Sequence, residues 1–230
     1  LEGRDYNYHN FSDNVSEVRH RIKIVEDDFN IEEIIHKAEK KKILIICNTV
    51  SRAQKVYTEI KDRFIEAGLL HSCFIRSHRM ILEKRIMDFS SDNTKTGVWV
   101  TTQIVEASLD IDFDILYTEM CTADSLLQRM GRCNRAGRKS IEQSNIIICF
   151  NGSGRGSIYD KDLYDRSANL IKKREGELFS EPDKVAYINE VYEIEQIKKT
   201  EYFRQIERNI ECFKDLGPAE YNAEEAREEF

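Results

Sequence analysis

The chain has 230 residues, a formal net charge of -7 and 40% hydrophobic residues, as expected for a soluble globular protein with a substantial core. No apolar run is long enough to span a bilayer and no signal-peptide pattern opens the sequence, so we expect a cytoplasmic protein without a membrane partner. The six cysteines show no close-set ligand spacing, and the sequence therefore predicts neither a disulfide framework nor a metal site.

Short apolar runs alternate with helical patterns as far as residue 150. The predicted strands are RIKIV (21–25), ILIIC (43–47), HSCFIR (71–76), VWVTT (98–102), DILYTE (114–119) and NIIICF (145–150). The predicted helices cover residues 31–42, 51–68, 79–90 and 123–130. Strands and helices that alternate at these lengths indicate an α/β fold, a doubly wound parallel sheet flanked by helices.

Three local features carry more specific expectations. The helix over 51–68 should begin with Ser51 as its N-cap and end at Gly68. Trp99, inside the apolar VWV, should lie in the core rather than form a platform for stacking bases.

The composition divides the chain into three parts. Residues 1–18 form an N-terminal extension or linker, residues 19–156 form the α/β domain, and residues 157–230 form an acidic helical appendage. The glycine-rich NGSGRGS (151–157) is typical of a loop or hinge, and no buried-strand pattern follows it.

Polar and small residues follow the predicted strands. They occur in NTVSRA (48–53), SHR (77–79), TTQIVEASLDID (101–112) and MCTAD (120–124). Because doubly wound sheets bind ligands beyond the carboxyl ends of their strands, we expect a site at this edge.

A basic stretch, LLQRMGRCNRAGRK (126–139), opens beyond the last of these segments. It contains four arginines at every third residue, a spacing that gathers side chains on one side of a helical turn, and it contains no carboxylate. Two interpretations stand: a solvated basic turn, or a clamp for phosphate groups. The position beside the polar strand ends favours the clamp.

These residues carry a family resemblance. QRMGRCNRAG resembles motif VI of superfamily-two helicases, VTTQIVEASLDIDFDILYTE resembles motif V, and ILIICNTVSRAQKVY resembles the motif IV region. Glu106 before SLDID, followed by Asp124 and SLLQR, is most similar to the helicase of type I CRISPR systems, which is often fused to an HD nuclease. The resemblance covers about residues 20 to 165.

The resemblance implies an ATP-dependent single-stranded DNA translocase built from two RecA-like lobes. ATP with Mg²⁺ would be bound mainly by the first lobe, and neither GxxxxGK[ST] nor a DExH box occurs in this chain. The chain therefore corresponds to the C-terminal RecA-like lobe, which we expect to be inactive alone. The implied partners are single-stranded DNA, the first lobe and HD nuclease domain of the same protein, and a guide-RNA surveillance complex.

The resemblance also implies roles for the basic stretch. Arg132 and Arg135 would act as arginine fingers on the ATP γ-phosphate, and we expect them to lack internal acid partners. Gln128 would order the phosphate or the attacking water. Arg129 would pack or pair with an acid such as Asp124.

The remaining candidate residues follow the strand ends. Asp110 and Ser108 would contact the nucleotide, although Asp110 could equally cap a turn. The candidate nucleic-acid ligands are Asn48, Thr49, Ser51, Arg52, His71, Thr101, Thr102, Gln103 and Glu106. The structural alternatives are as follows. The group at residues 48–52 could be a plain helix start capped by Ser51, and His71 could be a structural hydrogen-bonder. Thr101, Thr102 and Gln103 could be ordinary strand exits, and Glu106 could be an arginine partner or helix cap.

Two other functions stay open from the sequence. The chain could be a lobe of another superfamily-two DNA or RNA motor. It could also be a non-catalytic module that binds nucleic acid or a protein partner.

Overall fold

The structure is a computed structural model that describes residues 18–63, 66–106 and 109–215, with side chains as far as residue 211. The strands are β1 (His20–Val25), β2 (Lys42–Ile46), β3 (Ala67–Leu70), β4 (Gly97–Thr101), β5 (Ile115–Glu119), β6 (Ile146–Cys149) and β7 (Leu178–Phe179). The helices are α1 (Ile31–Ala38), α2 (Val50–Ile60), α3 (Arg76–Ser91), α4 (Ala123–Met130), α5 (Lys161–Lys172), α6 (Glu181–Val191), α7 (Ile194–Ile197) and α8 (Glu201–Asp215). A 3-10 turn at Gln103–Val105 follows β4. The predicted extension at residues 1–18 lies almost entirely outside the described residues.

The described strands form one sheet in the order β3-β4-β2-β5-β6-β1-β7. All neighbouring strands are parallel except β7, which pairs antiparallel with β1. Every residue of the central strands β2 and β4 is buried, as expected for parallel strands covered on both faces. The α/β fold with a doubly wound parallel sheet is confirmed.

The predicted strand at 71–76 is wrong, because the third strand lies earlier in the chain. β3 ends at Leu70, and His71 begins a turn in which the Phe74 amide faces the His71 carbonyl. Gly68, predicted to end the preceding helix, instead lies inside β3 against the ring of Trp99. An ideal Cβ on Gly68 would lie 2.5 Å from that ring, so packing explains the glycine.

The second helix also differs from its prediction. α2 ends at Ile60, and its N-cap is Thr49, whose Oγ1 accepts the Arg52 amide at 3.2 Å. Ser51, the predicted cap, is an exposed residue of the first turn. Trp99 is 2% exposed and packs against Phe89, so its predicted place in the core is confirmed.

The segment after residue 157 contributes to the same compact unit as the sheet, which extends to Val191. The Tyr187 hydroxyl of α6 donates to the carbonyl of Ser167 in α5, and the Ser167 Oγ accepts the Ala123 amide at the start of α4. These bonds join the two helices to α4. A second unit begins at Tyr192 and contains α7 and α8. Among the described helices, none has the length and apolarity needed to cross a bilayer.

Candidate nucleotide and nucleic-acid site

The basic stretch is a helix end followed by a loop. α4 ends at Met130 and Gly131 is its C-cap, so Arg132 and Arg135 lie on the loop formed by residues 131–139, called the arginine loop here. The prediction that the four arginines share one helical side is wrong, because the helix stops after the first of them. Gln128 remains on α4, where it is exposed.

Asn134 fixes the arginine loop from inside. It has a φ of 47°, the left-handed region that Asn tolerates better than most residues. Its side-chain amide donates to the carbonyls of Arg19 (2.9 Å) and Lys139 (3.2 Å), and its Oδ1 accepts the Lys139 amide at 3.0 Å. The loop is therefore closed on itself and tied to the start of β1.

Arg135 and Arg132 meet the segment that resembles motif V. The Arg135 guanidinium lies 2.6 Å from the Asp110 carboxylate, and both side chains are well exposed. The Arg132 guanidinium donates to the carbonyl of Leu109 at 2.7 Å and to the carbonyl of Glu106. Burial, and secondly the charge of Arg135, lower the pKa of Arg132 from its ordinary value.

The expectation that both fingers lack internal acid partners is therefore wrong for Arg135, which pairs with Asp110. Arg132 bonds to two backbone carbonyls and forms no ion pair with a described residue. Asp110 and the two carbonyls lie more than twenty residues before the arginines, and the fold returns them to the loop. Carbonyls supply no negative charge, and the exposed Asp110 pair is accessible to solvent, so the arginine loop still presents cations at its surface. Ser108 lies outside the described residues.

Arg129 is the buried arginine of this region. Its side chain has no exposed surface, and its Nε donates to Glu106 Oε1 at 2.8 Å. Its Nη1 donates to the Thr118 hydroxyl (2.8 Å) and the Glu119 carbonyl (3.1 Å). Glu106 is thus an arginine partner, one of its two predicted alternatives, and it is an acid with which Arg129 pairs, as expected for that arginine.

The turn after β2 is held by a second buried acid. Glu119, at the end of β5, is 1% exposed and accepts the backbone amide of Asn48. The Asn48 side-chain amide donates to the carbonyls of Met120 (2.8 Å) and Ser153 (2.6 Å). Arg52 pairs with Asp28 and lies 3.5 Å from Glu119. Asn48 and Arg52 are therefore engaged within the lobe.

The predicted nucleic-acid ligands separate into buried and accessible groups. The prediction is wrong for the Thr101 hydroxyl, which is fully buried and donates to the Ile45 carbonyl. Thr102 is 3% exposed and His71 4% exposed, and burial lowers the pKa of His71. Accessible surface remains at Thr49, Ser51, Gln103 and Glu106.

Two residues of this region were not predicted from the sequence. Tyr159 is 9% exposed and accepts a hydrogen bond from the Arg129 guanidinium at 2.7 Å, although it follows the last predicted strand. Glu119 ended a predicted strand, where a buried carboxylate gives no periodic signal. A tyrosine just after the glycine-rich loop was the available clue for Tyr159. Within the described residues no His, Cys, Asp and Glu side chains gather as a metal-binding group of three.

Comparisons with known proteins agree with the family resemblance. A family model described as "CRISPR-associated nuclease/helicase Cas3, C-terminal" matches residues 39–138. A CRISPR-associated nuclease/helicase Cas3 of Methanothermobacter thermautotrophicus is 31% identical over 194 residues, which cover 79% of this chain and 23% of that protein.

Solved structures give the same result for the fold. The crystal structure of T. fusca Cas3-ATP is 25% identical, has a TM-score of 0.68, and is matched over 84% of this chain and 25% of that chain. A chain from a "CRISPR RNA-guided surveillance complex, pre-nicking" is similar in fold, with a TM-score of 0.66 and 23% identity over 84% of this chain and 27% of that chain. The chain spans about a quarter of the length of these relatives.

Together, the sheet topology and the matches define a class, the C-terminal RecA-like lobe of a superfamily-two helicase. Within that class, the chain belongs with the C-terminal helicase lobe of Cas3.

Proposed function

We propose that the chain is the second motor lobe of an ATP-dependent single-stranded DNA translocase in CRISPR interference. The observation that carries the proposal is the arginine loop, which holds two guanidinium groups against the motif V segment while leaving one of them half exposed. The matching relatives bear the names nuclease/helicase and Cas3-ATP.

The donor set fits a triphosphate presented by another lobe. Arg135 offers an exposed planar guanidinium, which can exchange the Asp110 carboxylate for phosphate oxygens. The Arg132 Nε is a buried donor without a hydrogen-bond partner among the described residues. Gln128 is an exposed residue of α4, near the end of the helix that precedes the arginine loop. These three residues would stabilise the charge on the transferred phosphoryl group or orient water.

ATP and Mg²⁺ would be held mainly by the first RecA-like lobe. The chain would contribute donors from one side of the nucleotide. The family resemblance implies that Asp110 and Ser108 contact the nucleotide. The isolated chain would therefore lack measurable ATPase activity.

The DNA would contact the edge formed by the turns after β2 and β4. Thr49 caps α2 and Ser51 is exposed beside that helix start, where backbone amides favour phosphate. Buried residues of the predicted set, such as Asn48 and Thr101, would shape these turns rather than contact DNA. The HD nuclease domain and the guide-RNA surveillance complex complete the proposed partners.

Reconstitution tests the proposal. The chain alone and the chain mixed with a cognate first lobe are assayed for ATP hydrolysis with and without single-stranded DNA. We expect activity only in the mixture and stimulation by DNA. DNA binding that ignores nucleotide, with no restored hydrolysis, would instead support a non-catalytic binding module. A preference for RNA as the stimulating strand would support another superfamily-two motor.

A further inference from the structure

A single hydroxyl group joins three segments of the site. The Tyr159 hydroxyl accepts from Arg129 Nη2 at 2.7 Å and from Gln103 Nε2 at 3.3 Å, and it lies 3.4 Å from Asn48 Oδ1, to which it can donate. These partners come from α4, the 3-10 turn after β4 and the turn after β2. Burial raises the pKa of Tyr159 to about 12, so this hydroxyl stays protonated at neutral pH.

On one side, the hydrogen bonds of the Tyr159 hydroxyl connect to the arginine loop through Arg129 and Glu106. The Glu106 carboxylate accepts the Arg129 Nε at 2.8 Å, while its backbone carbonyl accepts the guanidinium of Arg132. The Arg132 amide also donates to the Arg129 carbonyl at 2.9 Å. A shift of Arg132 therefore acts on residues that Tyr159 contacts directly or through one intermediate.

On the other side, the hydrogen bonds of the Tyr159 hydroxyl connect to the proposed DNA edge. Gln103 Nε2 donates to the Asn48 carbonyl at 2.7 Å, which joins the turn after β4 to the turn after β2. Asn48 directly precedes Thr49, the N-cap of α2. The accessible residues of the proposed DNA edge thus adjoin the groups that Tyr159 holds.

The glycine-rich loop sets the position of Tyr159. Gly154 has a φ of +101°, and its carbonyl accepts the Tyr159 amide at 2.9 Å, while the Gly156 amide donates to the Tyr159 carbonyl at 2.8 Å. Arg155 forms a two-bond ion pair with Asp165 of α5. The tyrosine is therefore fixed by a closed loop that is anchored to a helix.

We propose that Tyr159 is a positioning residue that couples the arginine loop to the DNA edge, an inference that rests on the proposed function. Arg129 is fully buried, so its donors need hydrogen-bond acceptors. A tyrosine whose role was only structural would need to accept a hydrogen bond from Arg129 and from no other residue. The same hydroxyl also contacts Gln103 and Asn48, and this shared contact favours coupling.

The test uses the protein carrying both RecA-like lobes. Tyr159→Phe removes only the hydroxyl, and Tyr164→Phe is the matched control. The two rings are 6.5 Å apart, and the Tyr164 hydroxyl makes no hydrogen bond within the part of the chain described. We measure ATP hydrolysis with and without single-stranded DNA, and the DNA Kd in the presence of a non-hydrolysable ATP analogue or ADP.

We expect Tyr159→Phe to lower the DNA stimulation of hydrolysis by about 3- to 10-fold, the size of effect that one lost hydrogen bond can have. The ratio of the two DNA Kd values should also move towards one. A general loss of structure would weaken both DNA affinities together and leave that ratio unchanged. The control Tyr164→Phe should also leave the ratio unchanged.

The outcomes separate this inference from the proposed function. Wild-type protein with DNA-stimulated hydrolysis, together with a Tyr159→Phe variant of unchanged stimulation and Kd ratio, overturns the coupling role alone. Wild-type protein without DNA-stimulated hydrolysis overturns the proposed function and the coupling with it. If Tyr159→Phe folds poorly, the Kd ratio measured on its folded fraction still decides between coupling and structure.

Discussion

The guanidinium of Arg135 lies 2.6 Å from the carboxylate of Asp110, in an ion pair whose side chains are 48% and 86% exposed. Six residues earlier, the guanidinium of Arg129 pairs with Glu106 at 2.8 Å, where the side chains are 0% and 11% exposed. One stretch of sequence therefore contains an ion pair open to water and another enclosed by protein. This difference in environment leaves Arg135 accessible for the ligand-binding role that we propose, and it gives Arg129 a structural role.

The two acids should differ in their effect on stability. Asp110→Ala should change the free energy of unfolding by less than about 1 kcal/mol, because exposed pairs contribute little. Glu106→Ala should cost about 3–5 kcal/mol, because it leaves the Arg129 charge buried without its acid. Urea denaturation of the isolated chain measures both. Equal effects of the two substitutions would contradict the assignment.

Gly68→Ala should destabilise the sheet edge. The new methyl group would meet the ring of Trp99, which is 2% exposed. Overpacking of this kind costs about 1–3 kcal/mol. Thermal denaturation measures the loss, and repeating the substitution in a Trp99→Leu background gives the control. If the ring is the cause, the loss should shrink by about half or more in that background.

Stability should fall below neutral pH because of His20. Burial, followed by the nearby charge of Lys184, lowers the pKa of His20 to about 3. The unfolded chain takes up this proton near pH 6.5 and the folded chain does not. The contribution of the neutral His20 to the free energy of unfolding is therefore complete above that pH and is lost as the pH falls. Unfolding at pH 5 should cost roughly 2 kcal/mol less than at pH 7.

Two substitutions check the origin of this pH dependence. His20→Gln should remove that part of the slope, while His36→Gln, at an exposed position of α1, should leave the slope unchanged. An unaltered pH slope in His20→Gln would show that other groups are responsible. The Nε2 contact of His20 with the Cys133 carbonyl, at 2.9 Å, connects the same side chain to the arginine loop.

Local patterns predicted most of the sheet because its central strands are apolar on both faces. ILIIC and VWVTT match β2 and β4 within one residue at each end. The prediction failed at HSCFIR, where apolar residues lie in a turn and at the start of a helix, and the true β3 contains Gly68. Only the tertiary contact with Trp99 explains that glycine, and no periodic pattern reports such a contact.

The candidate site was predicted less completely, for a related reason. Sequence motifs placed Arg132 and Arg135 correctly beside a polar sheet edge, but they gave no information on long-range partners. Asp110 and the Leu109 carbonyl lie more than twenty residues away, and Tyr159 lies outside the helicase motifs. Burial also reversed the expected exposure of Thr101, because its place in the central β4 outweighs its polar character.

Arg135 offers the most direct test of the claim that this lobe completes an ATP site. Arg132 is less suitable, because its guanidinium also holds the carbonyls of the motif V segment. In the two-lobe protein with single-stranded DNA, the rate of ATP hydrolysis is compared between Arg135→Ala and Arg138→Ala, a substitution of an exposed cation on the same loop. The account predicts a loss of at least about 100-fold for Arg135→Ala and less than about twofold for Arg138→Ala. Equal rates in the two variants would contradict it.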